Sequence, residues 1–190
     1  GTGGSDNLAS TVSRIDSYIR QNLLTLAMDE AHNAIQTSPY YLPVHVRMAE
    51  IMMREGRLRQ AINKYNMVAR AYMVRGEKDR AASILYETLE TAPLDVSVRL
   101  SLIDLLESED KLDEALDQYI ELGKTYTHLG SFDKSRETFQ YAERLAKQVS
   151  APKEKLVIIR HSAADAEQLR MDTRSAIRIY EDIIELAPED

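Results

Sequence analysis

Four histidines are the residues in this 190-residue chain with the widest range of metal and proton chemistry. His32, His45, His128 and His161 are scattered, and no HExxH, ExxH or DxDxDG pattern surrounds them, so a dedicated metal site is not expected. The carboxylate pairs Glu109/Asp110 and Asp113/Glu114 have the residue types of an acid–base couple. They straddle a turn between two helical stretches, where capping and solvation explain them more simply. Gly76 and Gly130 stand alone and form no phosphate loop, and the serines and aspartates lack the strand-end elbow of a triad. The sequence therefore predicts no enzyme and no cofactor.

Arginine carries the remaining chemistry. Arg47, Arg54 and Arg70 present guanidinium forks that grip carboxylates in pairs of parallel hydrogen bonds. Local partners such as Glu50 would instead make them solvated helix surface. Charge is also unevenly spread. Residues 47–80 carry nine Lys/Arg against four Asp/Glu, whereas 84–121 carry eleven Asp/Glu against two Lys/Arg. Two solvated faces of unlike sign, or a polarised groove that orients a charged partner, both fit that asymmetry. Six of the seven methionines lie between Met28 and Met73, either as core filler or as the lining of a tolerant groove. Tyr40 and Tyr41 read equally as a binding lip and as a shield over a hairpin end.

The elements that must position these residues are helices. Hydrophobic residues make up 44% of the chain, enough for a core, while glycine and proline number only seven and five. Gly56, Gly76 and Gly130 fall in short polar gaps, as C-terminal glycines should, and Pro39, Pro43, Pro93, Pro152 and Pro188 all fall at boundaries. Ten helices are expected, near 7–20, 23–37, 42–55, 57–75, 78–91, 95–108, 111–129, 132–148, 152–170 and 173–187. Segment 148–153 is a candidate hinge, and the opening GTGGS (1–5) has the look of an expression remnant ahead of one helical domain over 6–190. We expect the chain to be a fragment of a larger protein.

Several function classes are disfavoured. No run approaches the roughly 18–20 apolar residues of a membrane span, and a net charge of −7 disfavours nucleic acid. The absence of cysteine fits a reducing, cytoplasmic setting.

The chain repeats itself after 54 residues. RLRQAINKY (57–65) aligns with KLDEALDQY (111–119), and Ala69, Tyr72, Gly76 and Asp79 fall on Gly123, Tyr126, Gly130 and Asp133. Such reuse marks a stacked array, because one unit alone cannot bury its apolar face. A small residue followed four positions later by an aromatic recurs as Ala61/Tyr65, Ala115/Tyr119, Ser135/Phe139 and Ala176/Tyr180, with Ala81/Leu85 a weaker copy.

On these residues the chain resembles the tetratricopeptide repeat (TPR) family. The fullest match is LGKTYTHLGSFDKSRETFQYAERLA (122–146), through Leu122-Gly123, Tyr126, Leu129-Gly130, Phe132, Ser135, Phe139 and Ala142. Further matches span 42–75, 160–188 through Ala176, Tyr180 and Pro188, and, loosely, 11–39. The chain departs from the pattern in having no tryptophan and in placing Ile15, Ala49 and Ile103 where the first-helix glycine is usual. Its matched small residues are spaced 20, 34 and 20 apart rather than uniformly 34. Helices 57–75 and 111–129 would then serve twice, closing one hairpin and opening the next. The expected fold is an all-α, right-handed solenoid of antiparallel helix pairs with three-helix units in its middle.

The resemblance implies a non-catalytic scaffold that binds a peptide segment or protein surface in a concave groove. Matching positions place Asp16, Arg20, Arg47, Glu50, Arg54, Ser101, Asp104 and Glu107 there, and Asn63, Asn66, Arg70 and Lys124 if the double-duty helices also face inward. Arg47, Glu50, Arg54, Asn63, Asn66, Arg70, Asp104 and Lys124 are the candidate partner-binding residues, suited to a partner with an acidic segment. The family's carboxylate-binding Lys/Asn set is missing, with Val12, Asp16, Val46 and Leu100 in its positions. The alternative is a structural spacer, or a segment that self-associates through its terminal helices. It predicts exposed Ile183, Ile184 and Leu186 on the last helix.

Overall fold

A computed structural model describes residues 3–186, and the first two residues of GTGGS and the boundary at Pro188 lie outside that range. Nine helices make up the described residues: α1 (Gly3–Arg20), α2 (Leu24–Thr37), α3 (Leu42–Arg54), α4 (Leu58–Val74), α5 (Lys78–Thr91), α6 (Val96–Ser108), α7 (Leu112–His128), α8 (Phe132–Gln148) and α9 (Lys153–Leu186). The fold is an all-α helical repeat. The chain divides into two compact units, Gly1–Ala92 and Pro93–Asp190.

One turn geometry ends six of the helices. At Gly56, Gly76 and Gly130 φ is +77°, +77° and +74°, and the following N–H reaches back five residues, as in Arg57 N to Met52 O at 2.9 Å. This double closure satisfies carbonyls that a helix end otherwise leaves bare. Asn22, Asp110 and Ser150 make the same turn with φ of 59°, 58° and 53°. Those three have a Cβ and hold the left-handed conformation against its steric cost. Ser150 makes its turn between α8 and α9, inside the segment read as a candidate hinge.

In the first unit α1, α2 and α3 pack mutually, and α4 lies against both α3 and α5. Ile15, Ile19, Ala27, Ala31, Val44, Met48 and Ile51 form one buried cluster. Ala61, Val68, Ala69, Ala81 and Leu85 are buried where α4 meets its neighbours. In the second unit α7 packs on α6, α8 and α9. The stripe Leu102, Ile103, Leu105 and Leu106 on α6 is buried, as are Ala115 and Leu116 on α7. The two helices expected to serve twice thus each contact the helix before and the helix after.

The α7–α8 crossing shows why a small residue sits there. A Cβ on Gly123 would stand 2.5 Å from Phe139 Cε1, well inside contact distance. On the opposite helix Ser135 is fully buried. Its hydroxyl donates to Gly123 O at 3.1 Å and shares a 2.7 Å hydrogen bond with Thr127 Oγ1. The crossing is therefore both tight and stitched by polar contacts.

The expected break near residue 171 is absent. α9 runs on for 34 residues, because the sequence RMDTR (170–174) holds no glycine or proline to stop it. Ala176 and Tyr180 consequently lie exposed on a continuous helix, without a facing partner helix, and do not form the last small–aromatic crossing.

Two substitutions test these devices by denaturant unfolding. Gly123→Ala gains about 1 kcal/mol of helix propensity but forces the buried Phe139 ring to move, and a net loss of about 1 kcal/mol is expected. Phe139→Leu in the same chain should recover part of it. Ser150→Gly should raise stability by about 0.5–1 kcal/mol by relieving the left-handed strain.

Candidate functional site

The first unit carries an open cleft of about 620 Å³ between α3 and α5. Pro43, Val46 and Arg47 of α3 form one wall, and Asp79, Arg80, Ser83 and Ile84 of α5 the other. Tyr41, Tyr72 and Arg75 complete it. Pro43 lies in the first turn of α3, where its missing N–H costs nothing, and so fixes the approach of that wall. Three arginines and one aspartate among the lining residues make the cleft cationic.

Each guanidinium is held in place. Arg47 donates from Nε to Asp16 Oδ1 at 2.7 Å and from Nη2 to Asp16 Oδ2 at 3.3 Å, which ties α3 to α1. That bond to Asp16 raises the Arg47 pKa further above its ordinary value. Arg75 donates to the Tyr40 carbonyl at 2.6 Å, and Arg80 pairs with Glu77 at 3.2 Å while its guanidinium carbon stands 5.9 Å from the Tyr72 ring centroid. A guanidinium plane already oriented by a hydrogen bond, as in Arg47 and Arg75, loses little entropy when it engages a carboxylate. Nearby, burial and then the charges of Glu50 and Glu87 push the Tyr65 hydroxyl up to about 12.

Among the candidate binding residues, only Arg47 lines this cleft. Glu50 and Arg54 pair with each other at 3.5 Å. On α4, Asn63 and Arg70 are exposed, whereas Asn66 is half-buried with an Oδ1 that has no hydrogen-bond donor. Asp104 and Lys124 are exposed in the second unit, and Lys124 pairs with Glu121 at 3.4 Å. Sequence reasoning missed Arg75, Arg80 and Tyr72. The run RGEKDR (75–80) reads as a polar loop, and only the fold turns its two ends toward α3. The paired tyrosines separate, with Tyr40 80% exposed and Tyr41 both packed on the core and lining the cleft. Met48 is core, and Met67 is half-exposed.

The second unit holds its charges internally. Arg99 is buried and donates to Gln118 Oε1 at 2.7 Å and Pro93 O at 2.9 Å, and burial lowers its pKa. Tyr119 donates to Glu107 and meets the Tyr141 ring at 4.7 Å in a tilted arrangement; burial, then the Glu107 bond, pushes its hydroxyl well above the usual phenol range. A smaller cleft of about 310 Å³ between α8 and α9 is flanked by Arg136–Glu167 (2.7 Å) and Arg160–Glu143 (2.8 Å). Among the described residues no three His, Asp or Glu side chains cluster as metal ligands would, and no helix is long and apolar enough to cross a membrane.

His45, on the α3 wall's own helix, gives a pH readout. Its Nε2 faces the Pro39 carbonyl at 2.7 Å, so that nitrogen carries the proton, and Nδ1 is buried without a partner. Burial lowers the pKa, the Pro39 bond opposes that, and Lys64 adds to it. A histidine depressed in the folded state contributes stability above its unfolded value of about 6.5 and loses it as pH falls toward the folded value. Unfolding midpoints measured at pH 7.5 and 5.5 should therefore drop for the parent chain, and drop less for His45→Gln.

No family model matches the chain, and no curated protein matches it. Solved structures with a similar helical arrangement include MamA, 14% identical, with a TM-score of 0.37 over 83% of this chain and 96% of that one. YrrB, described as a TPR protein with an unusual peptide-binding site, is 14% identical, with a TM-score of 0.36 over 87% of this chain and 90% of that one. A Podosopora anserina putative kinesin light chain with nearly identical TPR-like repeats is 16% identical, with a TM-score of 0.46 over 96% and 95%. The structural neighbours of this chain thus include TPR proteins, while its helical-repeat architecture rests on its own helices and turns.

Proposed function

We propose that the chain is a non-catalytic interaction module whose α3–α5 cleft takes an extended, acidic peptide segment. The observation that carries this reading is the convergence of Arg47, Arg75 and Arg80 with Tyr41 and Tyr72 on one open cleft of about 620 Å³. An acidic side chain exchanges weak contacts, such as the exposed Arg80–Glu77 pair, for a charge-assisted bond in a site already ordered. Tyr41, Val46, Tyr72 and Ile84 offer apolar surface for the residues on either side of it. A second reading, self-association, is favoured by a separate observation. Ile183, Ile184 and Leu186, expected to be exposed if the last helix pairs with another copy, are 53%, 64% and 87% exposed.

A peptide-display selection against the folded chain tests the cleft. Recovered peptides should share an acidic residue flanked by apolar ones and lose at least about tenfold in affinity, roughly 1.4 kcal/mol, with Arg80→Glu. Arg70→Glu, outside the cleft, should leave them bound. Loss at Arg70 with indifference at Arg80 would move the site to the α4 face, and no shared motif at all would sink the peptide reading.

A further inference from the structure

The last sixteen described residues of α9 are all exposed, while its first half is pinned to α8 by ion pairs such as Arg136–Glu167. Thr173, Arg174 and Ile177 line a shallow cleft with Gly130, Phe132 and Asp133, and a helix end with so little tertiary packing is marginal in water, so this segment gains by finding a partner. Ile177, Tyr180 and Ile184 follow one another at spacings of three and four, with Ile183 beside them, and are 51% to 67% exposed. That is one heptad of the a/d spacing along which two helices pair.

The flanking charges say which helix covers it. The first part of the segment carries Arg174 and Arg178, with Asp172 the one acidic residue, and its last part carries Glu181, Asp182 and Glu185. Among the described residues no ion pair takes up Arg178, Glu181, Asp182 or Glu185, and the ion pairs of α9 lie between Lys155 and Arg170. A parallel, in-register copy would set arginine beside arginine and glutamate beside glutamate. An antiparallel copy sets the basic part of each helix against the acidic part of the other, and two-fold symmetry satisfies both at once.

We infer that two copies of this chain associate by antiparallel pairing of α9 over residues 171–186. The inference rests on the self-association reading above and adds its geometry. The self-complementary charge order selects a second copy over an unrelated apolar partner. The seam supplies the affinity and the charges supply the direction.

Light scattering on the size-fractionated full chain, at concentrations on the order of 10–100 μM, tests both levels, with circular dichroism as the check on folding. The parent chain should run as a dimer. Ile184→Asp should raise the dissociation constant at least tenfold. Arg174→Glu/Arg178→Glu alone should do the same, and adding Glu181→Arg/Glu185→Arg to that variant should restore the dimer, because the exchanged blocks are again complementary. A parent chain that stays monomeric would overturn self-association and the pairing together, leaving the face to another partner. A dimer whose mass ignores the charge reversals would keep self-association and overturn the antiparallel α9 pairing.

Discussion

The second unit depends on how closely α7 and α8 approach. Gly123 and Ser135 face each other across that crossing, and the buried Phe139 ring occupies the space a side chain on Gly123 would need. A small residue sets the interaxial distance and the aromatic fills what the small residue leaves. The same economy operates with Ala61 on α4, Ala81 on α5 and Ala115 on α7, each fully buried. Close approach would strand polar groups if nothing answered them. Ser135 and Thr127 do so around the Gly123 carbonyl, at the position where the repeat pattern ordinarily has alanine.

Six helix ends share one turn, and that turn gives the array its punctuation. Where it carries glycine the geometry is unstrained; where it carries Asn22, Asp110 or Ser150 it is held by the packing on either side. Where no such turn exists, as after Arg170, the helix simply continues. The length of α9 is thus a consequence of local sequence, and its last turns present Ile179, Ile183 and Ile184 at the surface.

Charge in this chain is mostly consumed internally. Arg47 is bound by Asp16, Arg54 by Glu50, Lys124 by Glu121 and Arg136 by Glu167. Exposed pairs of this kind hold side-chain orientation more than they add stability. The groups that differ are Arg75 and Arg80 at the cleft, Arg80 standing over the Tyr72 ring, and the unbridged charges at the end of α9. Both are surfaces with a direction, one toward a carboxylate and one toward a copy of itself.

Helix positions, glycine turns and the small–aromatic crossings other than Ala176/Tyr180 were legible in the sequence because each follows from a local rule of periodicity, left-handed backbone or side-chain size. Eight of the nine helices fall within a few residues of the stretches that apolar periodicity marks out. The site was less legible. Arg47 was found because it lies on a regular helix face, whereas Arg75 and Arg80 flank a turn whose direction no local pattern specifies. Only the packing of α4 against both α3 and α5 brings that turn to face Tyr41 and Val46. The sequence by itself determined which segments are helices and where eight of them stop, but not that α9 runs on past residue 171. The tertiary structure alone decided which side chains converge, since convergence depends on crossings between residues more than thirty positions apart, such as Arg47 with Asp16 and Arg75 with Tyr40.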